Sequence, residues 1–225
     1  MFEQRFFSFF WLVFLVLTLT ACSRSDAPEA STIKQESSYE GTIVAVGDSL
    51  TAGLRVREDE AYPARLERKL QDEGYSWRVI NAGISGETSS GALSRINWVL
   101  KLEPDIVILE TGANDGLRGT SPNLTRKNLE EAVTILQENG VTVVLAGMKM
   151  VTNLGRQYLK EYSAVYPEVA KKFNLIYIPF FLEGVATKAS LNQDDGIHPT
   201  GEGYKVVAET VFPFVVEAIE KRGQG

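Results

Sequence analysis

The sequence predicts an α/β fold of three layers, with a parallel β-sheet covered by helices on both faces. Three observations carry this. Short apolar runs alternate with segments whose apolar residues repeat at helical spacing. The runs are continuous, as in Ile43-Val44-Ala45-Val46 and Ile106-Val107-Ile108-Leu109, and strands buried on both faces require this. Five such runs are too few for an eight-stranded barrel.

The elements follow in order. Thr42 to Val46 is the first strand, rich in β-branched residues. Gly47 and Asp48 stop it with turn chemistry, and Ser49 stands where a helix begins at Leu50-Thr51-Ala52. Tyr62-Pro63 opens a helix with proline in its first turn, Leu66 and Leu70 form its stripe, and Gly74 ends it. Trp77 to Asn81 is the second strand and runs into the small-residue loop Ala82 to Thr88. Leu93, Ile96 and Leu100 predict one helix, stopped by Pro104. Asp105 to Glu110 is the third strand and feeds a loop, Thr111 to Gly116. Leu129, Val133 and Leu136 mark the next helix, with Gly140 as its stop, and Val141 to Ala146 is the fourth strand. A helix over roughly Arg156 to Phe173 carries Pro167, a point of kinking or division. Leu175 to Ile178 is the fifth strand. A longer loop reaches Asp194-Asp195-Gly196-Ile197-His198-Pro199, and Thr200 caps a last helix that runs to about Lys221 with a kink near Pro213. The whole reads as a doubly wound, five-stranded sheet in flavodoxin-like order. In such sheets the working loops lie at the carboxyl ends of the strands. The loops holding Ser49, Gly86, Asn114, and Asp195 with His198 all fall on that edge.

The chain has 225 residues, 44% hydrophobic and 23% charged, which suits one globular domain of ordinary composition. Net charge is -6 and no Lys/Arg block occurs, which argues against a nucleic-acid partner. One cysteine excludes an intramolecular disulfide. One histidine and no Cys/His cluster argue against a zinc site, so no metal is expected. Any serine–histidine chemistry must use His198.

The amino terminus predicts export. Phe6 to Leu19 is strongly apolar, of a length that suits a signal peptide better than a membrane span. Leu19-Thr20-Ala21-Cys22 resembles the lipobox of bacterial lipoproteins, which implies a signal peptide over residues 1–21 and a diacylglycerol on Cys22. An uncleaved anchor, or an ordinary signal with an incidental cysteine, is the plainer alternative. Ser23 to Glu40 has no apolar periodicity and reads as part of a flexible tether, residues 22–40. The folded domain is expected over residues 41–225. By the same resemblance, Ser23 after the cysteine points to the periplasmic face of the outer membrane. A soluble periplasmic or secreted protein is the alternative.

The four loops hold the residue types that ester hydrolysis needs: a nucleophile, a base, a group that orients the base, and donors for the oxyanion. Ser49 supplies a hydroxyl at a helix start. His198 is an imidazole that accepts a proton near pH 7, and Asp195 lies three residues before it. Asn114 offers an amide, and Gly86 and Ser49 backbone N–H groups. Each has a plain structural alternative. Ser49 is placed to be an N-cap, Gly86 to relieve backbone sterics, Asn114 to shape a turn, Asp195 to cap one, and His198 to sit in an exposed loop.

Gly47-Asp48-Ser49-Leu50, Gly86, Gly112-Ala113-Asn114-Asp115 and Asp195-Gly196-Ile197-His198-Pro199 resemble the four blocks of the GDSL, or SGNH, hydrolases, in that family's order. The resemblance spans essentially all of residues 41–221. It implies the SGNH hydrolase fold, Ser49 as nucleophile, His198 as base and Asp195 as its orienter. It also implies an oxyanion hole from Ser49, Gly86 and Asn114, with no metal or organic cofactor. Asn114 to Gly119, Asn153 to Tyr158 and Pro179 to Leu182 are similar to the bacterial lysophospholipase, acyl thioesterase and arylesterase subgroup. Ala113 stands where that subgroup commonly has glycine. Its members are typically free in the periplasm, so the lipobox and tether are departures. The segments 117–124 and 148–158 are expected to line the acyl site. Within them, Leu117, Arg118, Met148, Asn153, Arg156 and Tyr158 are the candidate substrate-binding residues. The expected protein is a serine esterase acting on carboxylic esters or thioesters, lysophospholipid among them, and held to a membrane by its lipid. An acetylesterase acting on polysaccharide or cell-wall sugars is a second reading. A non-catalytic lipoprotein binding module is a third, from another class.

Overall fold

The computed structural model describes residues 39–150 and 154–223. The expected signal peptide, Cys22 and all of the tether before Tyr39 lie outside them, as does Asn153.

Five strands form one sheet: β1 (Gly41–Gly47), β2 (Trp77–Gly83), β3 (Ile106–Glu110), β4 (Thr142–Ala146) and β5 (Ile176–Ile178). Their order is β2-β1-β3-β4-β5, and every pairing is parallel. This is the flavodoxin-like order that the sequence predicts. β3 is buried along its whole length, and Ile43 to Val46 of β1 are fully covered, because helices close both faces.

The eight helices among the described residues are α1 (Ser49–Ala52), α2 (Tyr62–Asp72), α3 (Ser89–Ser94), α4 (Ile96–Leu100), α5 (Ala113–Leu117), α6 (Pro122–Glu138), α7 (Arg156–Phe173) and α8 (Gly201–Gly223). α2 packs on α8 and β2, with Tyr62, Leu66 and Leu70 fully buried. Each of the two leucines contributes about 1.5–3 kcal/mol by leaving water. α6 packs on α3, α7 and β4. Thr200 caps α8 as expected, its Oγ1 accepting from the Gly203 N–H at 3.2 Å. Pro167 and Pro213 lie inside continuous helices, so neither divides its element.

Two local expectations change. The predicted helix through Leu93, Ile96 and Leu100 is two short helices with a break at Arg95. The buried residues are Ala92, Ile96 and Val99, while Leu93 and Leu100 are only partly covered. The break has a tertiary cause: Arg95 turns inward to make a two-pronged ion pair with Glu87, at 2.7 and 2.6 Å. The loop after β3 also winds into the short helix α5.

The register positions the site. Gly47 pairs with both Gly83 and Glu110, so β1, β2 and β3 end level with one another. The chain leaves β1 toward β2 and leaves β3 toward β4, in opposite directions across the sheet. A crevice opens at such a switch point, outside the carboxyl ends of the strands. Ser49 and Asn114 stand on its two sides.

Candidate active site

The turn after β1 is tight. A Cβ on Gly47 would collide with Thr51 Oγ1 and the Glu110 carboxyl. Asp48, not Ser49, caps α1: its Oδ1 accepts from the Leu50 N–H at 2.9 Å. The N-cap alternative for Ser49 therefore gives way. With its neighbour doing the capping, the Ser49 hydroxyl is free to point elsewhere, and its Oγ lies 2.8 Å from His198 Nε2.

His198 comes from the loop before α8. A bridge between Asn192 and Pro199 closes that loop, and the Gln193 N–H donates to the His198 carbonyl at 2.8 Å. Asp195 serves the turn and the ring together. Its Oδ1 accepts from the N–H groups of Ile197 and His198, both at 3.1 Å, and its Oδ2 lies 2.9 Å from His198 Nδ1. The His198 hydrogen bond, aided by the backbone donors, holds the Asp195 carboxyl well below the usual carboxylate range. An ionised carboxylate only accepts, so the ring proton sits on Nδ1 and Nε2 presents its lone pair to Ser49. That is the arrangement in which an imidazole removes a proton from a hydroxyl.

The opposite wall is built by α5. Asn114 Nδ2 donates to Asp48 Oδ2 at 3.0 Å and to the Glu87 carbonyl at 2.9 Å. Arg118 Nη2 donates to the Gly86 carbonyl at 2.9 Å. Asp115, fully buried, accepts from the Ser89 N–H at 2.8 Å and the Ser89 hydroxyl at 2.6 Å. Three residues of one short segment thus grip the loop around Gly86, which adopts a left-handed backbone with φ +81°. Among the described residues, the N–H groups of Ser49 and Gly86 have no backbone acceptor. Both amide hydrogens of Asn114 are already engaged.

Two buried carboxyls meet at the turn, one from β3 and one in the turn itself. Glu110 is fully buried, and its Oε2 accepts from Thr51 Oγ1 at 2.8 Å and the Asp48 N–H at 3.3 Å. Burial, and then the charge of Asp48, push the Glu110 carboxyl well above its ordinary value. Burial likewise raises Asp48 to about 6, against the hydrogen bond from Leu50.

A cavity of about 200 Å³ opens beside Ser49 and His198. Its walls are mostly apolar, with Leu50, Met148, Met150, Phe180 and Leu182 prominent. A hydroxyl backed by an imidazole and a carboxylate therefore faces a space suited to an apolar group.

A model described as the GDSL-like Lipase/Acylhydrolase family matches residues 45–206. The chain belongs to this family. Its relatives include Esterase TesA of Pseudomonas aeruginosa, 40% identical over 173 residues, covering 76% of this chain and 86% of that protein. The Escherichia coli protein named Thioesterase 1/protease 1/lysophospholipase L1 is 38% identical over 169 residues, covering 75% of this chain and 80% of its own. Among solved structures, a crystal structure of TesA superposes with a TM-score of 0.75 at 39% identity, covering 79% of this chain and 99% of that one.

In this GDSL-family chain, Ser49, His198 and Asp195 come together, with Gly86 and Asn114 tied into the same edge. Leu117 and Met148 line the cavity. Arg118, Arg156 and Tyr158 are not among its lining residues: Arg118 holds the Gly86 loop, Arg156 opens α7, and the Tyr158 hydroxyl donates to the Thr120 carbonyl at 2.9 Å. Reasoning from the sequence overlooked Glu110, whose signal was an acidic residue ending an otherwise apolar strand. It also passed over Ile197 as a lining residue, an apolar side chain beside the histidine.

Proposed function

We propose that the protein is a serine esterase that hydrolyses carboxylic esters or thioesters through an acyl-enzyme at Ser49. The single observation that carries this is the chain of contacts from Ser49 Oγ to His198 Nε2 at 2.8 Å, and from His198 Nδ1 to Asp195 Oδ2 at 2.9 Å. In this reading His198 takes the hydroxyl proton as Ser49 attacks the carbonyl carbon. Asp195 holds the ring and stabilises the imidazolium. The oxyanion forms between the free N–H groups of Ser49 and Gly86. Asn114 joins them by sharing one of its two engaged hydrogens. His198 then protonates the departing alcohol or thiol, and water, deprotonated by the same ring, releases the acid.

The apolar cavity supports an acyl group longer than acetyl as the part bound beside Ser49. It weighs against the acetylesterase reading. Relatives named arylesterase and thioesterase/lysophospholipase support carboxylic esters and thioesters as the substrate class. A lysophospholipid would present both an acyl chain and a membrane source. The test is a substrate panel of short and medium p-nitrophenyl esters, acyl-CoA, lysophospholipid and acetylated xylan. Preference for medium acyl chains supports the reading, and preference for the acetylated glycan overturns it.

For the amino terminus we propose a cleaved signal peptide over residues 1–21, lipidation of Cys22, a tether to residue 40, and residence on the periplasmic face of the outer membrane. The apolar run and the cysteine at the end of Leu19-Thr20-Ala21-Cys22 support this. Intact mass measurement of the protein made with its own leader tests it. A mature form beginning at unmodified Cys22, or retaining residue 1, contradicts it.

A further inference from the structure

The Asp195 carboxylate has a second cationic partner. Arg55 Nη1 lies 2.9 Å from Asp195 Oδ2, the same oxygen that holds His198 Nδ1. Arg55 is six residues past Ser49, just beyond α1. Its backbone is left-handed, with φ +61°. A residue with a Cβ holds that conformation only where its surroundings impose it. Here they do. Gly53, also left-handed, ends α1, and the Leu54 N–H donates to the Ser49 carbonyl at 3.1 Å. The Leu54 carbonyl accepts from Gln193 Nε2 at 2.8 Å, which ties this turn to the His198 loop a second time.

Exposed ion pairs add little to stability, and the Arg55 side chain is 64% exposed. Its consequence is local. We propose that Arg55 is a positioning residue of the site, whose guanidinium, through Asp195, biases the His198 imidazole toward the neutral form that accepts the Ser49 proton. The inference rests on the Ser49–His198–Asp195 reading above. A cation on the shared oxygen offsets part of the attraction that the carboxylate exerts on an imidazolium. The other charged groups near the ring are Asp48, which acts on it electrostatically, and Lys149, which lines the same cavity, with Asp194 next to Asp195 in the chain. Among the described residues, none of the three is bonded to Asp195 Oδ2.

His198 is the only histidine of the chain, so an untagged protein gives a single imidazole signal in nuclear magnetic resonance. The test compares the parent with Arg55→Gln and Arg55→Gly by the pH dependence of that signal and of kcat/KM for a p-nitrophenyl ester. Both substitutions remove the charge, and the glycine suits the left-handed backbone. The ring midpoint and the acid limb of kcat/KM are both expected to move upward by about 0.3–0.5 of a pH unit at low salt. The difference shrinks at 1 M salt, and Arg55→Lys restores most of it. An unmoved midpoint in both variants overturns the proposal. So does a loss of activity with an unmoved midpoint, which reduces Arg55 to a mechanical brace. Ser49→Ala, assayed alongside, reports on the nucleophile separately. If it keeps its activity, the serine reading fails even where the ring signal has moved.

Discussion

Asp48 Oδ2 accepts a hydrogen bond from Asn114 Nδ2 at 3.0 Å, joining the turn after β1 to the helix after β3 across the switch point of the sheet. The Asn114 amide is therefore oriented before any substrate arrives, and orientation in advance is what makes an oxyanion donor effective. Asn114→Ala is expected to lower kcat on p-nitrophenyl esters by about 10²-fold with little change in KM. A loss below fivefold would make Asn114 a brace between the two loops and no more.

The cap residue should make stability depend on pH. Asp48 is raised from its ordinary 3.8 to about 6, chiefly by burial. A carboxyl raised in the folded state contributes fully below its unfolded pKa, and that contribution is lost as pH rises through the folded value. For Asp48 the window runs from about pH 4 to about 6. Asp48→Asn removes the titration while keeping an oxygen for the Leu50 N–H. The stability difference between parent and variant, by urea unfolding, is expected to change by about 2–3 kcal/mol between pH 4 and pH 7, with the parent losing ground as pH rises. A constant difference contradicts the burial argument.

Much of this architecture was legible in the sequence because its signals are local. Continuous β-branched runs marked β1, β3 and β4, and a two-sided sheet needs nothing more to specify them. The pairing of Asp195 with His198 was legible as spacing on a bent loop. Other features depend on contacts that local patterns do not encode. The break at Arg95 follows from an ion pair with Glu87 that helical periodicity does not reveal. Asp48 and Ser49 are both good caps side by side, and only the fold decides that the aspartate caps while the serine faces His198. The cavity wall draws Phe180, Leu182 and Ile197 from loops whose paths are set by tertiary packing.

Close packing at the end of β1 predicts a contrast between two glycines. Gly47→Ala brings a methyl group against Thr51 and Glu110, directly under the nucleophile turn. Gly74→Ala meets no neighbour and is opposed only by its φ of +90°. Both are expected to lower Tm, the second by the few degrees that about 1 kcal/mol costs in a domain of this size. Only Gly47→Ala is expected to cut kcat, by at least tenfold. Equal activity in the two variants would mean that the turn tolerates displacement.

The cavity predicts acyl preference. Ala186 lines it with Leu182 and Phe180. Ala186→Leu fills space that a medium acyl chain needs. It is expected to reduce kcat/KM for an octanoyl ester at least tenfold while leaving an acetyl ester within about threefold, since a few methylenes of lost contact have that value. A uniform loss across chain lengths would place the acyl group elsewhere.

Every step of the proposed reaction requires Ser49 as the nucleophile, activated by His198. Incubation with a fluorophosphonate, followed by intact-mass and peptide mapping, tests it most directly. One stoichiometric adduct on Ser49 is expected, absent in Ser49→Ala and strongly slowed in His198→Ala. Folded protein that stays unlabelled, or an adduct that persists in Ser49→Ala, would contradict it.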